Sequence, residues 1–370
     1  MPLLSFYKKA LARRYETETL ADEIHRVKTI DDVRISLKRF LPCSSSSPQR
    51  LPILCVPGLG ADSHNYDAPA PLGLAPFLTE QGFDTFVVDL RGTGLSKVSG
   101  DRWSRICFDD FVNLDLPVIV DKILELTGQK QILFIGHSMG GMILYAAMAM
   151  GQADKIAAGI TVGAPVGFPF RWAVAPHLRP FKRLGEFVPG LFMRDLSRLL
   201  TPLLLRTENL PGVRDLLEIS NLEPKMARQL LYQAVQDIPQ GVLLQMRDWV
   251  ENDAFRSRNL DVDYRAGLMG AATKLLVVAG VADKLGPPKA VERAVGLVED
   301  AEWMLCGKET GFSTDYGHAD LLLGPRSREE IYPHLSDFFR RHSNISSFSG
   351  GKNETEPSLS KRKKLQVIHS

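Results

Sequence analysis

The sequence predicts an α/β protein: a mostly parallel central sheet with helices on both faces and an inserted helical cap. Three observations carry that expectation. Short β-branched runs alternate with helix-like segments, several of those runs end in a glycine-bearing turn, and the alternation stops at about residue 168 and resumes after about residue 265. A chain of 370 residues fits one large domain with an insertion. Its 44% hydrophobic and 24% charged residues are ordinary globular composition, which excludes disorder, collagen-like repeats and coiled coil for the whole chain. Lys+Arg 45 against Asp+Glu 43 leaves +2, too weak a field to argue for a nucleic-acid partner. Cys43, Cys55, Cys107 and Cys306 lack CxxC spacing, so they read as free thiols rather than a zinc site or a disulfide framework.

Residues 1–23 read as an amphipathic surface segment, with Lys8, Lys9, Arg13 and Arg14 followed by Glu16, Glu18, Asp22 and Glu23. The apolar run is too short for a secretory signal, and Arg194, Asp195 and Arg198 interrupt the most apolar stretch, so the expectation is a cytoplasmic chain without a membrane span. The first part of the core, 24–167, opens with a hairpin, Ile24 to Thr29 and Val33 to Phe40 around Asp31-Asp32. Strand-to-turn units follow: LPILCV into PGLGADSH, TFVVDL into RGTGLS, and QILFIG into HSMGG. Helices are expected at Leu72 to Gln81, at Met142 to Met150 and at Val118 to Thr127. The last has Asp115 to cap it, Pro117 in its first turn and Gly128 as its left-handed stop. The cap, 168–265, is rich in Leu, Pro, Phe and Arg with helical spacing, and should lie over the carboxyl ends of the strands. The core resumes over 266–342 with KLLVVAG running into VADKLGPP, and a disordered basic tail, 343–370, carries Lys361 to Lys364.

The chemistry centres on Gly136-His137-Ser138-Met139-Gly140, a G-x-S-x-G motif after a strand and before a helix. Such a turn forces Ser138 above the sheet edge in a strained conformation and aims the N–H of Met139 at the place where an oxyanion would form. A serine hydroxyl is a poor nucleophile unless a histidine takes its proton and an acid fixes that histidine's tautomer. In this architecture the chain order is serine, acid, histidine. Asp283, just beyond the strand Leu275 to Ala279, is the expected acid. His318, in the loop Tyr316-Gly317-His318-Ala319-Asp320, is the expected base; the other histidines fall in the wrong order or place. The turn Val56-Pro57-Gly58-Leu59-Gly60 follows the first core strand, which makes the Leu59 N–H the expected second oxyanion donor. Arg91-Gly92-Thr93-Gly94-Leu95-Ser96 lacks the spacing, lysine and acid of a phosphate loop and reads as a structural turn.

These residues resemble the α/β-hydrolase superfamily, in particular the acid-lipase branch of triacylglycerol and steryl-ester hydrolases. The likeness is carried by HRVKTIDDVRISLKRFLP, GLGADSHNY, FDDFVNLDLPVIVDKILELTGQKQILFIGHSMGG and YGHADLLLG. It implies the α/β-hydrolase fold and a triad of Ser138, Asp283 and His318. Pro57 departs from the branch, where a histidine usually precedes the glycine of the oxyanion turn. A weaker likeness, in NYDAP and QGFDTFVVDLRG, is to polyhydroxyalkanoate synthase and depolymerase relatives, but the synthases carry cysteine where this chain has Ser138.

The expected activity is a serine esterase or lipase-like hydrolase using an acyl-enzyme, with no cofactor and no metal. Its expected partner is a small-molecule or lipid ester; peripheral membrane contact is compatible with that. Phe168, Phe170, Trp172, Phe181, Phe187, Leu191 and Phe192 in the cap motivate the lipid-like substrate. The rivals are acyl transfer on the same triad and a non-catalytic binding protein with an apolar cap pocket.

Overall fold

A computed structural model describes residues 2–42, 50–68, 72–168, 188–204, 224–343 and 366–367. The strands in chain order are β1 (Glu23–Lys28), β2 (Arg34–Phe40), β3 (Ile53–Val56), β4 (Thr85–Asp89), β5 (Ile132–His137), β6 (Ile156–Val162), β7 (Gly190–Leu191), β8 (Ile238–Pro239), β9 (Lys274–Gly280), β10 (Ala301–Cys306) and β11 (Gln366–Val367). Strands β7 and β8 pair with each other; the rest form one sheet in the order β10-β9-β6-β5-β3-β4-β2-β1-β11. Only the β1–β2 and β2–β4 pairings of that sheet are antiparallel. The expected mostly parallel sheet is therefore observed, with a hairpin at one edge.

Strands β3, β4 and β5 are buried at every residue, as a sheet covered on both faces requires. Their side chains alternate between two cores. Leu54, Val56, Phe86, Val88 and Phe134 face one, with Ile119 and Ile123 of α3 (Leu116–Thr127) and the whole buried stripe of α4 (Met139–Ala149). Ile53, Cys55, Val87, Leu133 and Ile135 face the other, under α2 (Leu74–Glu80) and α8 (Tyr332–His342). Each fully buried Leu, Ile or Phe contributes about 1.5–3 kcal/mol, so the two faces hold the sheet far more firmly than its hydrogen bonds alone. The chain leaves β3 for β4 on one side and then for β5 on the other, a topological switch whose crevice opens at the strands' carboxyl ends.

Helix α3 departs from expectation at its start. Asp115 makes no side-chain cap; helical backbone already runs through Phe108–Asp110 and a wider turn at Phe111–Asp115. The carboxylate instead meets Arg91, whose Nε donates to Asp115 Oδ1 at 2.8 Å and whose Nη1 donates to Asp31 Oδ2 at 3.0 Å. Burial works against the Arg91 charge, but these partners outweigh it and hold the guanidinium above its ordinary range. One cation thus ties the hairpin turn, the RGTGLS turn and α3 together. In that turn the N–H of Leu95 donates to Asp89 Oδ2 at 2.9 Å, and a Cβ on Gly94 would lie 2.4 Å from the same carboxylate. The loop serves an internal acid, as a structural turn does. At its other end α3 stops on Gly128, φ 68°, whose N–H donates to the Leu124 carbonyl.

Before the sheet, α1 (Pro2–Tyr15) buries Leu11 and Tyr15 against Tyr232, and Lys8 pairs with Asp195 at its exposed side. Tyr232 belongs to α6 (Pro224–Gln233), which lies beside α5 (Arg194–Leu204). The stretch beginning at α7 (Gln240–Asn252) is continuous with the main core: Trp249, Phe255 and Tyr264 pack edge-on or tilted around Phe108. Of the aromatic residues expected in the cap, Phe168 is buried and Phe192 is exposed, stacking on Trp103; Phe170, Trp172, Phe181 and Phe187 lie outside the described residues. So does the expected tail, apart from Ser343 and β11. Cys55, Cys107 and Cys306 are free and buried, and Cys43 is outside the described residues. No helix among the described residues is long and apolar enough to cross a membrane.

Asp115→Asn would leave the Arg91 charge buried with half its partners. The expected loss is about 3 kcal/mol in urea unfolding. Asp121→Asn, which removes an exposed pair with Lys155, should change stability by less than about 1 kcal/mol.

Candidate active site

Strand β5 ends at His137 and α4 begins at Met139, leaving Ser138 alone in the turn at φ 53° and ψ −119°. A side chain held there is strained, and the neighbours show what contains it. A Cβ on Gly136 would lie 2.3 Å from the Gly140 carbonyl carbon, and one on Gly140 would lie 2.2 Å from the Val56 carbonyl oxygen. Glycine is required at both points because backbone meets backbone. The Ser138 N–H donates to the Val162 carbonyl at 2.8 Å, which pins the elbow to β6. Met139, as the first residue of α4, has an N–H without an intrahelical partner, at the positive end of the helix dipole.

Asp283 lies three residues beyond β9 and His318 in the loop before the last helices. His318 Nδ1 is 2.8 Å from Asp283 Oδ2, with the two side chains 5% and 0% exposed. Asp283 Oδ1 accepts from the N–H groups of Leu285 and Gly286 at 2.8 and 2.7 Å, so the carboxylate is fixed before it meets the ring. With Nδ1–H donated to the acid, Nε2 of His318 carries the lone pair. Gly163, at φ 61° just past β6, gives the pair room; a Cβ there would be 3.0 Å from Asp283 Oδ2 and 3.1 Å from His318 Nδ1.

The turn after β3 closes over the elbow: a Cβ on Gly58 would be 3.1 Å from Ser138 Cβ. Leu59 N–H makes no hydrogen bond among the described residues. Leu59, Ser138 with Met139, Asp283 and His318 therefore come from the segments that follow the carboxyl ends of four strands, β3, β5, β9 and β10. Among the described residues no cluster of three or more His, Cys, Asp or Glu side chains could hold a metal ion.

Two residues of this neighbourhood escaped the sequence reading. His137 was set aside because it precedes the acid, yet its buried ring lies 4.7 Å from the ring of His318. Its Nε2 is 3.1 Å from the His318 carbonyl oxygen and its Nδ1 is 3.0 Å from Asn65 Oδ1. Asn65 Oδ1 also accepts from the Gly58 N–H at 3.3 Å. Burial first, and the neighbouring His318 second, push His137 down to about 3, so its ring is neutral near pH 7. The available signals were His137 at the end of a wholly buried strand and Asn65 within GLGADSHNY.

A sheet of this order, with a serine elbow at its switch point, defines a class of α/β enzymes. Residues 52–325 match the family model described as alpha/beta hydrolase fold, and the chain belongs to that family. It is 34% identical over 123 residues to a tear acid lipase-like protein of Mesocricetus auratus; the match covers 30% of each chain, about a third of that relative's length. It is 22% identical over 373 residues to triacylglycerol lipase 2 of Arabidopsis thaliana, covering 86% of this chain and 84% of that one. Among solved structures it is similar to a soluble variant of monoglyceride lipase from Saccharomyces cerevisiae, with TM-score 0.59 and 17% identity, over 90% of this chain and 99% of the other; this likeness is of fold.

A folded ring at about 3 against an ordinary 6.5 means that, as pH falls, the unfolded chain takes up this proton first. The stability tied to His137 is complete above 6.5 and declines by about 1.4 kcal/mol per pH unit as pH drops towards 3. His137→Asn should therefore lose about 2 kcal/mol less than the wild type in urea unfolding between pH 7 and 5.

Proposed function

We propose that this protein is a serine hydrolase that cleaves carboxylic esters, lipid-like ones in particular, through an acyl-enzyme on Ser138. The observation that carries the reading is the buried 2.8 Å pair of His318 and Asp283, together with a serine held at positive φ in the turn after β5. His318 Nε2 takes the Ser138 proton as Oγ attacks the ester carbonyl, and the tetrahedral oxyanion is held by the N–H groups of Met139 and Leu59. The imidazolium then gives its proton to the departing alkoxide, which leaves as the alcohol. Water, deprotonated by the same nitrogen, attacks the acyl-enzyme, and the acid departs as the proton returns to Ser138. Asp283 holds the ring's tautomer and stabilises its cation throughout.

Apolar groups beside the turn after β3 support the lipid-like substrate. A Cβ on Gly60 of the oxyanion turn would meet Ile238 Cδ1 and Met193 Cε, both from the cap, at 3.2 Å, and Trp103 stacks on Phe192 at 5.5 Å nearby in the same layer. The lipase relatives point the same way, and lipid esters are the substrates their names imply.

A fluorophosphonate probe read by intact mass should leave one adduct on Ser138, absent in Ser138→Ala and in His318→Ala. Asp283→Asn should lower kcat by about 10⁴-fold by leaving His318 in the wrong tautomer. A wild type that stays unlabelled while folded would sink the reading. On a series of p-nitrophenyl esters, kcat/KM should rise with acyl length from acetyl to medium chains; a maximum at acetyl would exclude the lipid-like substrate.

A further inference from the structure

We propose that His137 and Asn65 are positioning residues that hold the oxyanion turn and the loop of the catalytic base in one register, a role resting on the ester-hydrolase reading above. The atoms lie in sequence, each within contact of the next. Gly58 N–H donates to Asn65 Oδ1 at 3.3 Å, His137 Nδ1 lies 3.0 Å from that oxygen, and His137 Nε2 lies 3.1 Å from the carbonyl oxygen of His318. Gly58 precedes Leu59, whose N–H is the second oxyanion donor, and His318 is the base. A shift of the base loop therefore presses on the same buried ring that touches Asn65, and the reverse, through one hydrogen bond and close packing of uncharged side chains.

The placement is specific. His137 is the residue before Ser138, so the same peptide that sets the nucleophile sets this ring. Asn65 ends the short turn Ser63–Asn65, which Asp62 caps by accepting the His64 N–H at 3.0 Å, and the next residue, Tyr66, donates from its hydroxyl to the Val56 carbonyl at 3.1 Å. Asn65 is thus anchored on both sides. The residue before the turn's glycine is Pro57, whose ring nitrogen cannot donate. The Asn65–His137 arrangement supplies support to the turn from outside it. The neutral ring has a single N–H, so it hydrogen-bonds one of its two neighbours, Asn65 from Nδ1 or the His318 carbonyl from Nε2, and meets the other by packing; it adds no second cation beside the imidazolium that forms during turnover. A leucine could fill the volume, but it would hold neither neighbour.

The test compares kcat and KM on a p-nitrophenyl ester for the wild type, His137→Ala, Asn65→Ala and the double variant, with thermal melts and Ser138 labelling rates alongside. Each alanine variant should lower kcat about 10- to 100-fold with KM within about threefold, because the losses fall on the transition state. The double variant should fall no more than about twofold below the worse single, since both break one connected unit. His137→Asn, which can still reach Asn65, and His137→Gln, which can still reach the His318 carbonyl, should each recover part of the loss. Losses that multiply in the double variant, or an unchanged kcat with only a lowered melting temperature, overturn the tie. If His137→Ala does not fold, Asn65→Ala and His137→Asn decide the matter, and wild-type kcat in both overturns it. An unlabelled wild type overturns the ester-hydrolase reading and this role with it. A labelled wild type with unaffected variants overturns the role alone.

Discussion

Everything in the site depends on how closely the serine elbow approaches the neighbouring strand. The backbone of Gly140 passes so near the Val56 carbonyl oxygen that a Cβ would sit at 2.2 Å, and Gly136 is as tight against Gly140. That approach exists because β3 and β5 are adjacent parallel strands, paired from Ile53↔Leu133 to Val56↔Gly136. Their register brings the end of one strand under the turn that ends the other. The strain at Ser138 is tolerated because it is over-determined: the N–H is taken by Val162, and α4 is buried along most of its length. A looser sheet would relax the elbow and lower the hydroxyl into it.

The charges are sorted in a way that serves the same end. The deeply buried pairs, Arg91 with Asp115 and Lys38 with Asp67 at 3.1 Å, join elements of the scaffold. Such pairs contribute little net stability against well-packed apolar groups, but each breaks sharply if one member goes, so they fix which segments meet. In the site the arrangement differs. Asp283 is held by two backbone N–H groups and a ring rather than by a cation, which leaves its charge available to the imidazolium. His137, the second ring at hand, is kept neutral by burial, so it places no like charge 4.7 Å from the ring of His318.

The parts legible in the sequence were those that local rules govern. Apolar runs with glycine turns located β3, β4, β5 and β9 to within a residue or two, since a strand buried on both faces must be continuous in apolar residues. The elbow was legible because sterics demand glycine at 136 and 140. Asp115 was misread for the opposite reason: a carboxylate near a helix start is a cap by local rules, and only the tertiary position of Arg91 turned it into an ion-pair partner. The meeting of Asn65 with His137 was not legible on the same ground. They are separated by 72 residues and meet because β3 and β5 are neighbours, a fact of sheet order that no spacing within either segment records.

The segment after α6 meets the turn that follows β3 as well. Gln236 donates its backbone N–H to the Gly60 carbonyl at 2.7 Å and its side-chain Nε2–H to Asp62 Oδ2 at 2.7 Å, while Ala61 and Val235 form an isolated antiparallel bridge. The turn is therefore gripped from below by Asn65 and from above by the segment that follows α6. In the proposed reaction, a shift of that segment over a bulky acyl chain would draw on Gly60 and Asp62, and the displacement would reach Leu59 through the backbone between Gly58 and Gly60. On the proposed ester-hydrolase reading, these contacts couple the apolar residues Met193 and Ile238 to the oxyanion turn, so fit of an acyl chain against them and the position of the Leu59 N–H are one mechanical variable rather than two.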